Sequence, residues 1–262
     1  MTNHLRRRRG LPLAMAVACS LGASAGAAAE EAAGVDPAWA FGAEIYLWGA
    51  TITGETTAGD EVRIDFSDLF DNLNFGVMGT LVAQRDKLTL FADAIYLDAE
   101  GDRRTTANIV GSSVTAAATL DLKGFITTAG AAYEVFSSGS TGLGTTSIDA
   151  LGGARVLWLE SDLDFDLAGG SASASESGTN VDAVVGARGR TDLTDRLYLT
   201  YYADVGTGQS NLTWQALAGL NYSFKRVDLV GGYRYLSWNF QDRDTFDNLK
   251  LHGPFLGVKF GF

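Results

Sequence analysis

The chain has 262 residues, of which 46% are hydrophobic, and a formal charge of -11 from 20 Lys and Arg against 31 Asp and Glu. That acidic balance, with no basic patch, excludes a general nucleic-acid-binding role. No segment beyond the leader approaches the roughly 18 uninterrupted apolar residues of a transmembrane helix; 32 glycines, three prolines and many short apolar runs instead suit a chain of alternating strands.

Residues 1–29 read as a cleaved signal peptide. Residues 6–9 are four arginines, residues 11–21 form a short apolar core, and Ala27-Ala28-Ala29 offers an A-x-A site before Glu30. Cys19, the only cysteine, lies inside this leader, and a lipoprotein reading is weakened by Ala16, which stands where Leu is expected. The leader carries four arginines and no acid, so its removal moves the formal charge from -11 to -15 and leaves no disulfide. Residues 30–37 then form a short N-terminal segment, and residues 38–262 one β-barrel domain.

Period-two alternation marks ten segments of about the 9–11 residues that a tilted spanning strand needs. The first, 39–50, sets Phe41, Ala43, Ile45 and Leu47 on one face and Glu44, Tyr46 and Trp48 on the other. Segments 75–85 and 88–100 flank Arg85-Asp86-Lys87; 119–136 is rich in Ala, Thr and Gly; and 145–164 has a drifting parity that predicts a bulge. Segments 181–191 and 197–205 flank a polar turn, 212–224 and 227–239 meet across Lys225-Arg226, and 249–262 closes the series. Eight strands is the alternative count. Connections after even strands are short, whereas 51–74, 101–118, 165–180 and 240–248 are long, with 206–211 the short exception. Short periplasmic turns and longer external loops, with both termini in the periplasm, are the pattern of an outer-membrane barrel. Within the first long connection, 62–66 alternates and predicts an extension above the membrane, and 67–70 reads as a capped turn or short helix.

The final residues carry the location most directly. Leu256, Val258, Phe260 and Phe262 alternate with Gly257, Lys259 and Gly261, giving one apolar and one polar face. Tyr222, Phe224, Phe260 and Phe262 fall at periplasmic strand ends and Tyr96, Trp214 and Tyr235 towards external ends, as two interfacial girdles would. The last strand resembles the terminal strand of bacterial outer-membrane β-barrels, in which Leu256, Val258, Phe260 and Phe262 would act as the assembly signal. With the signal peptide and alternating strands, the chain resembles small Gram-negative barrels of the opacity-protein and OmpA-barrel kind. Leu151-Gly-Gly-Ala-Arg-Val-Leu-Trp158 and Leu212-Thr-Trp-Gln-Ala-Leu-Ala-Gly219 are similar to an uncharacterised proteobacterial group of them. The resemblance implies export to the outer membrane, contact with its lipids and lipopolysaccharide, and handling by periplasmic chaperones and the barrel-assembly machinery. It implies no defined activity.

The inward parity repeats a glycine two residues before a cation: Gly153 and Arg155, Gly186 and Arg188, Gly232 and Arg234, Gly257 and Lys259. Each glycine is expected to clear room for the cation. Inward acids include Glu44, Asp93 and Asp204, with Asp121, Asp149 and Asp182 on the same parity of their strands. Two readings follow. Arg155, Arg188, Arg234 and Lys259 can pair with these acids and plug a narrow barrel, because unpaired charges in a low-dielectric wall are costly. Alternatively they line a narrow channel for small polar or anionic solutes. Barrels of this size have interiors just wide enough for side chains, which favours the plug.

Asp60, Glu61, Asp65, Asp68 and Asp71, Asp162, Asp164 and Asp166, and Asp242, Asp244 and Asp247 make the external loops acidic; their oxygens could bridge Ca²⁺ or Mg²⁺ to anionic headgroups, but none matches a spaced calcium-loop pattern, so solvated loops are the expectation and no metal site is assigned. Histidine-dependent chemistry, including a lipid-modifying enzyme, has only His252 to rest on after the leader, and its parity is lipid-facing unless Pro254 shifts the register. No catalytic residue and no cofactor are assigned. The expectation is an integral outer-membrane barrel with a structural or surface-interaction role.

Overall fold

In the computed structural model, the described residues are 38–56, 61–109, 112–139, 144–167, 170–240 and 246–261; side chains at 61–62, 68–69, 101–122, 161–176 and 246 are not described. The proposed signal peptide and Phe262 lie outside them. The chain forms β1 (Ala40–Trp48), β2 (Thr51–Thr56), β3 (Glu61–Ile64), α1 (Phe66–Asp71), β4 (Leu73–Arg85), β5 (Leu88–Ile109), β6 (Ser112–Ser138), β7 (Thr146–Leu167), β8 (Gly170–Asp192), β9 (Leu197–Gly208), β10 (Ser210–Ser223), β11 (Val227–Phe240) and β12 (Phe246–Gly261).

β1 and β4 through β12 are ten antiparallel neighbours in chain order, and β12 returns to β1 along Gly42↔Gly261 to Trp48↔Phe255. The sheet therefore closes on itself, which leaves no spanning edge for lipid to meet. The ten strands expected from the alternation are all present. The two-residue reversal at Asp86-Lys87 is possible because Asp86 takes a left-handed φ of 53°, a region a short polar side chain tolerates.

The outer ends differ from the sequence expectation in how far pairing continues. β2 prolongs β1 and pairs with β12 from Thr51↔His252 to Thr56↔Phe246, and β3 folds back on β2. The alternation at 62–66 does extend the wall, as β3, and α1 then leads into β4, with Asp65 rather than Ser67 at its N-terminal boundary. β5 and β6 pair as far as Ile109↔Ser112, and β7 and β8 as far as Leu167↔Gly170. Segments 101–118 and 165–180, read from polarity as loops, are thus largely hairpin. With 22 residues in β5 against the roughly 9–11 that span a bilayer, the paired wall stands well above the membrane. Polar Thr, Ser and Asp residues obscure this, because strand pairing there needs no apolar face. The expected bulge is also displaced. β7 pairs with β8 without a break, and the register shift falls between Glu134 and Phe136 of β6.

The outer wall carries the apolar parity. Ile45, Leu47, Leu81, Val185 and Leu256 are exposed by 60–70%. A belt of this kind between aromatic ends is what a bilayer solvates and water does not. Tyr222 and Phe224 meet edge to face at the periplasmic end, and Trp214 stacks on Tyr235 at 4.6 Å towards the other end. Aromatic pairing at both borders is the interfacial girdle that the strand ends predict.

Candidate functional site: a filled lumen

Alternation fixes which side chains enter the barrel, and barrel closure decides which of them meet. Arg155 on β7 and Arg234 on β11 both point inward and are 0–1% exposed. Arg155 donates from Nη2 to Asp204 Oδ2 at 2.5 Å, from Nη1 to Thr213 at 2.9 Å and from Nε to Thr128 at 3.1 Å. Tyr202 donates to the same Asp204 oxygen. Arg234 donates to Tyr46, Asp93 and Gln215, each at 2.8 Å. Tyr46 and Thr80 in turn donate to Asp93 Oδ1 at 2.7 and 2.9 Å. A buried ion pair offsets its desolvation only when extra hydrogen bonds satisfy the charged groups; both pairs have several, leaving Asp204 Oδ1 and Arg234 Nε as their buried atoms without a partner among the described residues.

The other two cations lie nearer the periplasmic mouth. Arg188 pairs with Asp149 at 2.9 Å, and Lys259 with Glu44 at 3.6 Å. Arg188, Lys259, Glu44 and Asp149 retain side-chain exposures of 15–25%, so this layer is partly wet. A cavity of about 60 Å³, lined by Glu44, Tyr46, Thr80, Asp93, Arg234 and Lys259 among others, lies between the two layers. Below it, Arg190 covers the Tyr198 ring at 3.6 Å and pairs with Asp192 at 2.7 Å, while Tyr198 donates to Asp228. Alternation alone did not single out Arg190; its inward parity with Arg188, two residues earlier, is the signal that could have.

Each Gly-x-cation glycine faces inward too, but its expected role needs correction. A Cβ on Gly232 would lie 2.7 Å from the Phe255 ring, on Gly257 2.7 Å from Tyr46 Cβ, and on Gly186 2.9 Å from Asp204 Cβ. The space is taken by residues of the adjoining strands, not by guanidinium groups. These glycines let neighbouring strands and aromatics close in on a narrow lumen.

Further out the lumen is apolar, which the sequence reading missed. Trp48, Ala50, Met78, Ile95, Ile126, Leu157, Leu236, Trp238 and Leu251 form one buried cluster that also takes in Tyr46, Val230 and Phe255. Arg234 lies 5.0 Å from the Trp48 ring and Arg155 6.0 Å from that of Trp238, so the two arginines floor this cluster. Extending the Arg234 parity to Leu236 and Trp238 would have found it. Beside it, Asp182 accepts from Asn180 and from the backbone and hydroxyl of Ser210 at 2.6–2.8 Å.

His252 sits on the outer wall, as its parity indicates. Its ring stacks on Tyr235 at 5.7 Å, and Nδ1 shares a 2.8 Å hydrogen bond with the Tyr233 hydroxyl. Pro254 does not shift the register, since Tyr233↔Pro254 and Tyr235↔His252 are consecutive same-face pairs. Leu256, Val258 and Phe260 lie on that same outer parity, and Lys259 on the inner one. Among the described residues no group of three or more His, Cys, Asp or Glu is placed to hold a metal.

No protein-family model matches the chain, and no curated protein matches it. Among solved structures it is similar to Neisserial surface protein A, at 16% identity over 86% of this chain and 97% of that one, with a TM-score of 0.35. It is similar to the translocator domain of the autotransporter NalP from Neisseria meningitidis at 13% identity, 85% and 88% coverage and a TM-score of 0.45. A third is the outer membrane protease OmpT from Escherichia coli, at 10% identity, 86% and 97% coverage and a TM-score of 0.44. Likeness at this level says nothing of activity.

Proposed function

We propose that this outer-membrane barrel is a non-conducting, non-catalytic element of the Gram-negative outer membrane, with a structural or surface-interaction role. One observation carries the reading: the lumen is stoppered by the apolar cluster of Trp48, Ile95, Leu157, Leu236 and Trp238 above a floor of paired arginines. An ion crossing it would exchange water for hydrocarbon and break the Arg155–Asp204 or Arg234–Asp93 pair on the way. The non-catalytic part is supported by His252, which stacks between tyrosines on the lipid side, away from the luminal acids. Outer-membrane lipids, lipopolysaccharide, periplasmic chaperones and the barrel-assembly machinery are the partners this reading calls for. Planar-bilayer recording of refolded protein tests it. The expected trace shows no ion steps; resolved steps whose ion preference changes in Arg234→Ala would establish the narrow solute channel instead.

A further inference from the structure

The ladder between β1 and β4 stops at Ile45↔Gly79, although β1 continues to Trp48 and β4 begins at Leu73. On their other sides both strands stay paired, β1 with β12 through Trp48↔Phe255 and β4 with β5 through Leu73↔Ala99. Above Gly79 the two strands are joined by side chains. Trp48 donates its backbone N–H to Met78 Sδ at 3.3 Å. The Phe66 ring of α1 lies 3.5 Å from where a Cβ on Gly49 would be. Backbone left unpaired at membrane depth is tolerated only against protein or a cavity. This stretch is at that depth, because it runs outward from the exposed Ile45 and Leu47 towards the Phe75–Tyr96 contact at 6.1 Å.

Behind the seam lies the apolar part of the lumen. Trp48 and Met78 belong both to the seam and to the buried cluster with Ile95, Leu236 and Trp238. Phe66 and Phe70 stand at the mouth, 41% and 59% exposed, with ring centroids 5.6 Å apart. Within the cluster, Trp238 is fully buried and its Nε1 has no acceptor among the described residues. Buried donors are ordinarily paired. What this one lacks is an acceptor, and one reaching it from the lipid side through the apolar cluster would be carried on an apolar chain.

We propose that the β1–β4 seam is a lateral port through which a fatty acid from the outer leaflet enters the apolar lumen. The chain displaces the Phe66 ring, passes Met78 and parts the close-packed side chains of Trp48, Ile95 and Leu236, and a carboxyl oxygen accepts from Trp238 Nε1. No axial channel is needed, so the arginine floor stays shut while the site fills.

The test uses the refolded barrel in phosphatidylcholine vesicles with Trp39, Trp158 and Trp214 changed to Phe, so that Trp48 and Trp238 report. The probe is 9,10-dibromostearic acid, whose bromines quench indole fluorescence on contact. Quenching is expected to saturate and to exceed that from the same mole fraction of dibromo-phosphatidylcholine. Trp238→Phe should weaken the apparent affinity about fivefold, the weight of one hydrogen bond, with Trp48 still reporting. Phe66→Ala should speed quenching. A second handle is the pair Gly49→Cys and Phe66→Cys, placed where the Phe66 ring meets Gly49, in protein refolded without residues 1–29 and so without Cys19; oxidation should slow entry relative to the reduced pair. The port is ruled out if the fatty acid quenches no better than the brominated phospholipid. It is equally ruled out if neither Phe66→Ala nor the disulfide changes the rate.

Discussion

Replacing Arg234 by Met removes three hydrogen bonds, to Tyr46, Asp93 and Gln215, and leaves the Asp93 carboxylate, 15% exposed, without its cation. Breaking a buried pair from one side costs about 3–5 kcal/mol, most of it the charge left uncompensated. Asp93→Asn strands Arg234 by the same logic, so a similar loss is expected. The double variant carries neither charge. The amide oxygen it introduces at position 93 can still accept from Tyr46 and Thr80, which now donate to Asp93 Oδ1 at 2.7 and 2.9 Å. Its cost should therefore fall short of the summed single losses by about 3 kcal/mol or more. Equilibrium urea unfolding in phospholipid vesicles, followed by tryptophan emission, measures all four corners of this cycle. A single Arg234→Met loss below about 1 kcal/mol, as for a solvated surface pair, would refute the buried-pair account. Strict additivity of the two changes would do the same.

Two further outcomes separate the layers of the lumen. Leu236→Ala with Trp238→Ala removes two fully buried side chains from the stopper, and each truncation should cost about 2–5 kcal/mol; planar-bilayer recordings of this variant should show ion steps that the parent protein lacks. Leu256→Arg places a charge on the lipid face between the girdles, where Leu256 is 60% exposed, and should destabilise the barrel by about 2–4 kcal/mol in the same vesicle unfolding assay.

Much of the wall was legible from residue type alone. Ile45, Leu47, Leu256 and Phe260 alternate with Glu44, Tyr46, Gly257 and Lys259, and that local pattern placed both faces of β1 and β12 correctly. The alternation fails where both parities are apolar. Ile95 beside Tyr96, Leu157 beside Trp158 and Leu236 beside Tyr235 carry no polarity contrast, so the stopper is told from the belt only by carrying parity outward from a charged residue such as Arg234. It also fails where both are polar: in 101–118 and 165–180 the strands are paired through backbone hydrogen bonds, which require no apolar side chain. The glycines before each cation were visible, but what fills their space comes from other strands.

The sequence by itself determined the periodicity, and through it a closed antiparallel barrel with Arg155, Arg188, Arg234 and Lys259 on the inner parity. It could do so because successive Cβ atoms of a strand point to opposite faces, a rule that acts within a few residues. Only the tertiary structure decided which groups meet: Arg234 with Tyr46 188 positions away, Arg155 with Asp204 49 positions away, and Arg188 with Asp149. It also decided that the β1–β4 ladder ends at Ile45↔Gly79 while the lumen behind it is apolar. Those contacts depend on the stagger of ten strands around a closed sheet, and the residues of any one strand do not carry that quantity.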